Sequence, residues 1–483
     1  MLEVTFLGHQ GWLLRTATTA VLVDPLLTER FGHGGLLGSI FPPRRIDLAG
    51  FPPIDAVIIT HEHDDHFDIP SLHRLDRSIP IYLSARASHA AREILEAMGS
   101  SVHPLHADQT LELGDLRYRT VCADHRDGRH GDEWDVFPFV AYDTGDHGSL
   151  LSSIDVAMPE AMLEVARRLV PRPGLWAYAN NTTSTRFQNA SGPAHALPDD
   201  GDRLARVAVR RHAQLEQHWG ALAATLICGG GWSFGEERAW LDHHAFPLDP
   251  QRIRAALLEG EPAGPVVVPA PGHTMMMKDG QLVQQRPGEP FLHALPPDRW
   301  PPRDHLGDGA RLGDYAPACG RRALEPGEPE VLRDELRDFA RYLYGRDVFR
   351  QLCSLPTEGS QGRIAGLGLV LRDETRATAL RYDPTRCEFV EYEGHDPMAE
   401  LMSGIECWGS DLLALLRGEI GPTALCYAGR LRVWNADPRR LRISPHALWT
   451  FAHPLRRPAA AAALYRRLWS AEPDAVPRIR GRA

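Results

Sequence analysis

The sequence predicts a layered α/β fold of the αββα kind, carrying an insertion and followed by a C-terminal α+β unit. Short apolar runs alternate with helical periodicity through residues 1–283. A stretch rich in Pro, Gly and charge, residues 284–329, reads as a linker or wrapping arm. The 483 residues exceed what one core usually organises. The expected division is therefore 1–283 with an insertion at about 150–260, the linker 284–329, and 330–483.

The elements follow in order. Val4–Leu7, Trp12–Leu14 and Ala20–Val23 read as strands separated by turns, the first turn being Gly8-His9-Gln10-Gly11. Ala56–Thr60 is a further strand, and Ile69–Leu75 a short helix with Pro70 near its start. Ile81–Leu83 is a strand, and Ala87–Met98 has helical periodicity ending near Gly99. Leu111–Leu113 and Leu116–Val121 form a hairpin across Gly114-Asp115, and Phe137–Tyr142 is another strand. Further on, Asp202–Trp219 is helical, Ala223–Cys228 a strand, Gln251–Leu258 a helix and Pro265–Val268 a strand. Glu330–Leu355 reads as one amphipathic helix, followed by strands at Gly366–Leu371, Ala377–Tyr382 and Phe389–Tyr392 and a short helix at Asp411–Leu416.

Composition narrows the function classes. A net charge of −10 argues against a general nucleic-acid binder. The seven cysteines are scattered, with no Cys-x-x-Cys pair, which suggests free thiols in a reducing compartment. The N-terminus lacks the basic segment and long apolar run of a signal peptide, and no stretch is long and apolar enough to span a membrane. A soluble cytoplasmic protein is expected.

The chemistry is concentrated in His61-Glu62-His63-Asp64-Asp65-His66, which directly follows the Ala56–Thr60 strand. All six side chains can bind metal, and imidazole and carboxylate suit zinc, iron, nickel or copper. A strand that ends abruptly in such a cluster aims several ligands at one point.

The spacing His-x-His-x-Asp-His resembles the signature of the metallo-β-lactamase superfamily, which implies its αββα sandwich. The runs FLGHQGWLL and VLVDPLL resemble its lactonase-like branch. On that resemblance His61 and His63 hold one metal, Asp65 and His66 a second, and Asp24 orients the ligand loop by hydrogen bonding. Ala123–Arg129 is similar to the family's PAxHxSGR element and makes His125 the third ligand of the first metal, with His130 and Glu133 as fallbacks. Arg126-Asp127 departs from that pattern. Asp143-Thr144-Gly145-Asp146 is similar to the family's GDTG turn, with Tyr142 in place of the first Gly, and makes Asp143 the bridging carboxylate. His273, shortly after the strand Pro265–Val268, is the expected last ligand, ahead of His195, His212, His218, His243 and His244 in the insertion.

Ligand types do not choose between two chemistries. The overall layout resembles hydroxylase-type members, CMP-sialic acid hydroxylase and the diiron monooxygenases of diterpenoid antibiotic biosynthesis. The run LLALLRGEIGPTALCYAGRLRVWNADPRRL resembles the end of sterol-carrier-type domains. The resemblance implies a non-heme diiron monooxygenase that uses two irons and O2 to hydroxylate a bulky apolar substrate, lipid-like or terpenoid, free or carrier- or CoA-linked. No paired Cys-x-His motif is present, so no Rieske cluster and no haem are expected, and electrons come from a separate reductase. The alternative is a dizinc hydrolase of esters, lactones, phosphodiesters or sulfates, with a metal-bound hydroxide nucleophile. Alkylsulfatases also join this metal site to a sterol-carrier-like domain. Trp176, Tyr178, Trp232, Phe234, Trp240 and Met275–Met277 could wall an apolar pocket, although core packing is the more frequent fate of such residues. Arg129, Asn180, Asn181, Arg186, His147 and Trp232 are the candidate substrate contacts.

Overall fold

The computed structural model describes residues 1–32, 35–121, 136–145, 148–156, 158, 160–170, 174–179, 201–229, 232–242, 249–301, 317–356, 359, 362–473 and 475–482. Two mixed sheets stack face to face. The first contains β1 (Leu2–Gly8), β2 (Gly11–Arg15), β3 (Ala20–Val23), β4 (Ala56–Ile59), β5 (Ile81–Ser84) and β6 (Val102–Leu105). The second runs through β7 (Thr110–Leu113), β8 (Leu116–Thr120), β9 (Phe139–Asp143), β10 (Ser149–Ser152), β11 (Leu175–Ala179), β12 (Ala224–Cys228) and β13 (Val266–Val267). β14 (Thr274–Lys278) and β15 (Gln281–Arg286) return to the first sheet, whose order is β15-β14-β1-β2-β3-β4-β5-β6.

Alternation along the strands builds the layers. Val4, Trp12 and Ile58 meet Tyr118, Phe139 and Leu226 between the sheets. Leu13, Val57 and Leu83 face outward, under the helix α2 (His89–Ala97). Trp176 and Ile227 point to the opposite outer face, under α3 (Glu160–Leu169), α4 (Gly201–Trp219) and α5 (Pro250–Glu259). The result is the αββα sandwich expected from the sequence.

Strand direction places the functional edge. β1 and β3 are both antiparallel to β2, and β3 is parallel to β4. The residues that follow β1, β3 and β4 are His9, Asp24 and Thr60-His61, and they emerge along one edge. In the second sheet β8 and β10 are both antiparallel to β9, and β10, β11 and β12 are mutually parallel. The ends of β8, β10 and β12 reach the same edge, where Gly229 N donates to His9 O at 2.7 Å.

The rest of the chain forms a five-stranded sheet, β16 (Ile364–Arg372), β17 (Thr378–Asp383), β18 (Glu388–Glu391), β19 (Leu401–Trp408) and β20 (Leu431–Asn435), in the order β18-β17-β16-β19-β20. The expected single helix over Glu330–Leu355 is two, α6 (Glu328–Leu343) and α7 (Asp347–Ser354). Gly345 lies between them at φ 78, a left-handed conformation that ends a helix and that other residues adopt at a cost. β6, β10, β11, β14, β15 and β19 are not among the expected strands. β14 puts Met275 and Met277 in the core between the sheets, not in a pocket wall. β19 carries Gly404 and Glu406 in an otherwise apolar run, which weakens its strand pattern.

Short helices, among them α8 (Gly409–Leu416), α9 (Pro422–Cys426) and α10 (His446–Phe451), complete this part, and α11 (Pro458–Ala471) returns to pack against α1 (Ile69–His73) and α2. Among the described residues no helix is long and apolar enough to cross a membrane. A Cβ on Gly404 would lie 2.1 Å from Trp434 Cζ2. Gly404→Ala is expected to destabilise the protein by about 1–3 kcal/mol through overpacking, read as a lower urea midpoint with unchanged slope.

Candidate metal centre

The hexad closes into a tight turn. His66 N and Phe67 N both donate to His63 O, at 3.0 and 2.7 Å. Asp24 fixes the turn to the end of β3. Its Oδ1 accepts from Thr60 N at 2.8 Å, and its Oδ2 accepts from the Thr60 hydroxyl at 2.7 Å and faces His66 Nδ1 at 2.7 Å. The Thr60 hydroxyl, having donated to Asp24, accepts from His61 Nδ1 at 2.9 Å. Both rings thus hold their proton on Nδ1 and present Nε2 to the interior, the arrangement that second-shell partners impose on ligating imidazoles.

Those Nε2 atoms converge on Asp155, three residues beyond β10. His61 Nε2 lies 3.2 Å and His66 Nε2 3.3 Å from Asp155 Oδ2, and His63 Nδ1 lies 3.7 Å from it. Gln10 donates to the other oxygen, Oδ1. On the far side, His9 Nε2 is 2.9 Å from Asp65 Oδ2, which is 3.8 Å from His66 Nε2. His9, Asp65 and His66 form one group able to hold a cation. His61, His66 and Asp155 form a second, and His63, Asp65 and Asp155 a third. His9 and Asp24 both sit at positive φ, 52 and 44, so the backbone is strained where these side chains are aimed.

The donor set fits a metal pair. His61 Nε2 and His66 Nε2 are buried and accept no hydrogen bond. Burial, then His66 and His63, push His61 below its usual range, so it favours the neutral form that ligates. Burial alone would also lower His66, but Asp155, Asp65 and Asp24 together raise it well above the usual range. Asp155 behaves reciprocally. Burial opposes its charge, yet His66 and the contacts to His61 and His63 hold it well below the carboxylate range. The carboxylates that favour a proton on His66 would equally favour a metal cation there.

Two members of the hexad do other work. Glu62 accepts from Ser88 N and the Ser88 hydroxyl, each at 2.6 Å, and from the Tyr465 hydroxyl at 2.7 Å, which ties the loop to the cap of α2 and to α11. Asp64 faces away from the cluster, and its burial raises it to about 7.

The remaining expected residues distribute unevenly. Asp143 is not brought to the cluster. It ends β9, which is antiparallel to β10, so it lies roughly 14 Å along the strand from the edge where Asp155 emerges. There it accepts from the Met1 ammonium at 2.8 Å and from Gly145 N at 2.9 Å. His273 directly precedes β14, beside the end of β1, but its ring turns to Gln285. Of its competitors, His212 meets Thr225 and Glu216, and His218 meets Glu160. Trp232 packs on His9 with ring centres 5.4 Å apart, behind the cluster, while Trp176, Tyr178 and Phe234 are core. His125, His130, Glu133, Arg129, His147, Asn180, Asn181, Arg186, His195, His243, His244 and the Trp240 side chain lie outside the described residues. Sequence reasoning missed His9 and Asp155. Their signal was position alone, each just past a strand that runs to the ligand edge.

Fold and site together define an αββα protein with a His/Asp centre at one sheet edge. Residues 19–162 match the family model described as the beta-lactamase superfamily domain, a span that holds Asp24, the hexad and Asp155 but not His9. The likeness to that superfamily domain thus covers these residues, which hold β3 to β6 of the first sheet and the metal loop. An uncharacterized protein of Mycobacterium tuberculosis is 37% identical over 73 residues, 15% of this chain and 19% of that one. A UPF0173 metal-dependent hydrolase of Azorhizobium caulinodans is 27% identical over 133 residues, 27% of this chain and 52% of that one. The chain thus spans about a fifth to half the length of these curated relatives. Among solved structures, the isothiocyanate hydrolase from Delia radicum gut bacteria aligns with a TM-score of 0.40 and 16% identity, covering 57% of this chain and 99% of that one. CmlA, a diiron β-hydroxylase from Streptomyces venezuelae, aligns at 0.34 and 13%, covering 55% and 53%.

Asp155→Ala is expected to lower metal content clearly below wild type, whereas Asp143→Ala leaves it unchanged, both measured by elemental analysis of the purified proteins. Asp24→Asn, which disturbs the ring that Asp24 orients, should weaken metal affinity about 10–100-fold in chelator competition.

Proposed function

We propose that the protein is a dinuclear metal-dependent hydrolase. The observation that carries this reading is the convergence of His61, His63 and His66 on one oxygen of Asp155, with Asp65 and His9 behind it. His61, His63 and Asp155 would hold one cation, and Asp65, His66, His9 and Asp155 the other. His125, five residues beyond the end of β8 in the sequence, would complete the first. Bound there, a metal pair would supply Lewis-acid activation of water and of the bond to be cleaved. Asp24 and Thr60 keep the imidazole lone pairs aimed inward, and Gln10 keeps Asp155 turned so that its Oδ2 faces the three imidazoles. The likeness to a UPF0173 metal-dependent hydrolase supports this reading.

A second reading is the diiron monooxygenase that the layout resemblance implies, with O2 as co-substrate and a separate reductase. It is favoured by the apolar cover over the metal loop, where Trp449 stands edge-on to His63 with ring centres 5.1 Å apart. A dry, apolar site suits the oxidation of an unactivated C–H bond, and a sterol-carrier-like C-terminal part suits a lipid-like substrate.

The two readings separate on metal and reactant. Protein produced with zinc is expected to hold about two zinc ions per chain. It should hydrolyse a p-nitrophenyl ester or bis-p-nitrophenyl phosphate, lose that activity to dipicolinate and regain it on zinc addition. Two irons with a visible band that responds to reductant and O2, and no hydrolysis with either metal, would install the oxygenase in its place. Absence of stoichiometric metal after growth with either one would sink both.

A further inference from the structure

Between the metal loop and the C-terminal part lies a cleft that opens partly to solvent. His63 and Asp64 form one wall, and Ile420, Thr423, Trp449 and Leu464 face them. The far wall is mostly apolar; its polar members include His453 and the Thr423 hydroxyl, which accepts from Trp449 Nε1 at 3.4 Å. Asp64 is 3% exposed, and the Thr423 hydroxyl faces its carboxylate, but neither oxygen accepts a hydrogen bond of ordinary geometry. A buried carboxylate without a donor costs several kcal/mol, so a protein retains one at a cavity wall where something else supplies the donor.

We propose that this cavity is the substrate pocket and that Asp64 selects a ligand with an apolar, ring-sized body and one hydrogen-bond donor, an ammonium or hydroxyl group. The inference rests on the metal-enzyme reading for its link to catalysis, through His63, which the cavity and the cluster share. The apolar body lies against Trp449, Ile420 and Leu464, and the donor meets Asp64. The C-terminal part thereby acts as a specificity wall, with Asp64 and Trp449 as its determining residues.

Ligand-observed NMR titrations of the full-length, metal-loaded protein test this with benzylamine, benzyl alcohol and toluene. At least one of the two donor-bearing probes is expected to bind about tenfold more tightly than toluene, and which one does so identifies the donor. Asp64→Leu, which removes a buried charge without changing volume much, should fold with equal or higher thermal stability, keep its metal content and reduce that preference to less than twofold. Asp64→Asn serves the same purpose should the Leu variant fail to fold. Trp449→Ala should weaken all three probes. Equal affinities in the wild type, a preference that survives at residue 64, or loss of metal from both Asp64 variants would overturn the proposal. Metal analysis of the same samples keeps the two readings apart. Probe selectivity without two metals per chain would sink the dinuclear centre alone, and two metals without selectivity would sink the pocket alone.

Discussion

The metal loop depends on one buried carboxylate. Asp24 accepts from the backbone and the hydroxyl of Thr60 and from His66, and through the Thr60 hydroxyl it also sets His61. It sits at positive φ at the end of β3, beside the strand that delivers the hexad. A parallel neighbour is needed for this grip, because only strands running the same way end side by side. The β3–β4 pairing is therefore the architectural condition for the site, and the sandwich around it keeps that pairing dry and rigid.

Negative charge is gathered there on purpose. Asp24, Asp65 and Asp155 surround His66 in a nearly solvent-free space, an arrangement that is costly without compensating cations. Imidazoles supply part of that compensation in the chain itself, and the geometry leaves their inward lone pairs for metal. Glu62 escapes the cluster because Ser88 and Tyr465 already satisfy it. A carboxylate in a ligand motif is thus assigned by its other partners, not by its place in the motif.

Much of this was legible in the sequence. The hexad could be read because residues contiguous in the chain carry its candidate ligands on one turn. The sandwich strands could be read because alternation reports a half-buried surface. Asp155 could not be read, since the Asp-Thr-Gly turn at Asp143 mimics a bridging element, and only strand direction reveals that it lies at the wrong end of β9. His9 was hidden in a glycine-flanked turn, and its strain becomes visible only in the backbone angles. β19 was obscured by Gly404, which is required by the Trp434 ring across the sheet, not by any turn.

The last residues of the chain end where the first unit began. Ile54 N donates to Arg480 O, and Ile479 N donates to Arg74 O, while Tyr465 and Ile479 are buried in the same cluster as Leu13 and Val57. The sandwich is thus finished only by a segment that lies beyond the entire C-terminal sheet. Neither part can detach without opening the other's interior, so the cover over the metal loop behaves as a clasp fastened at both ends. A nascent chain would complete the outer face of its first sheet only after the C-terminal sheet had been made.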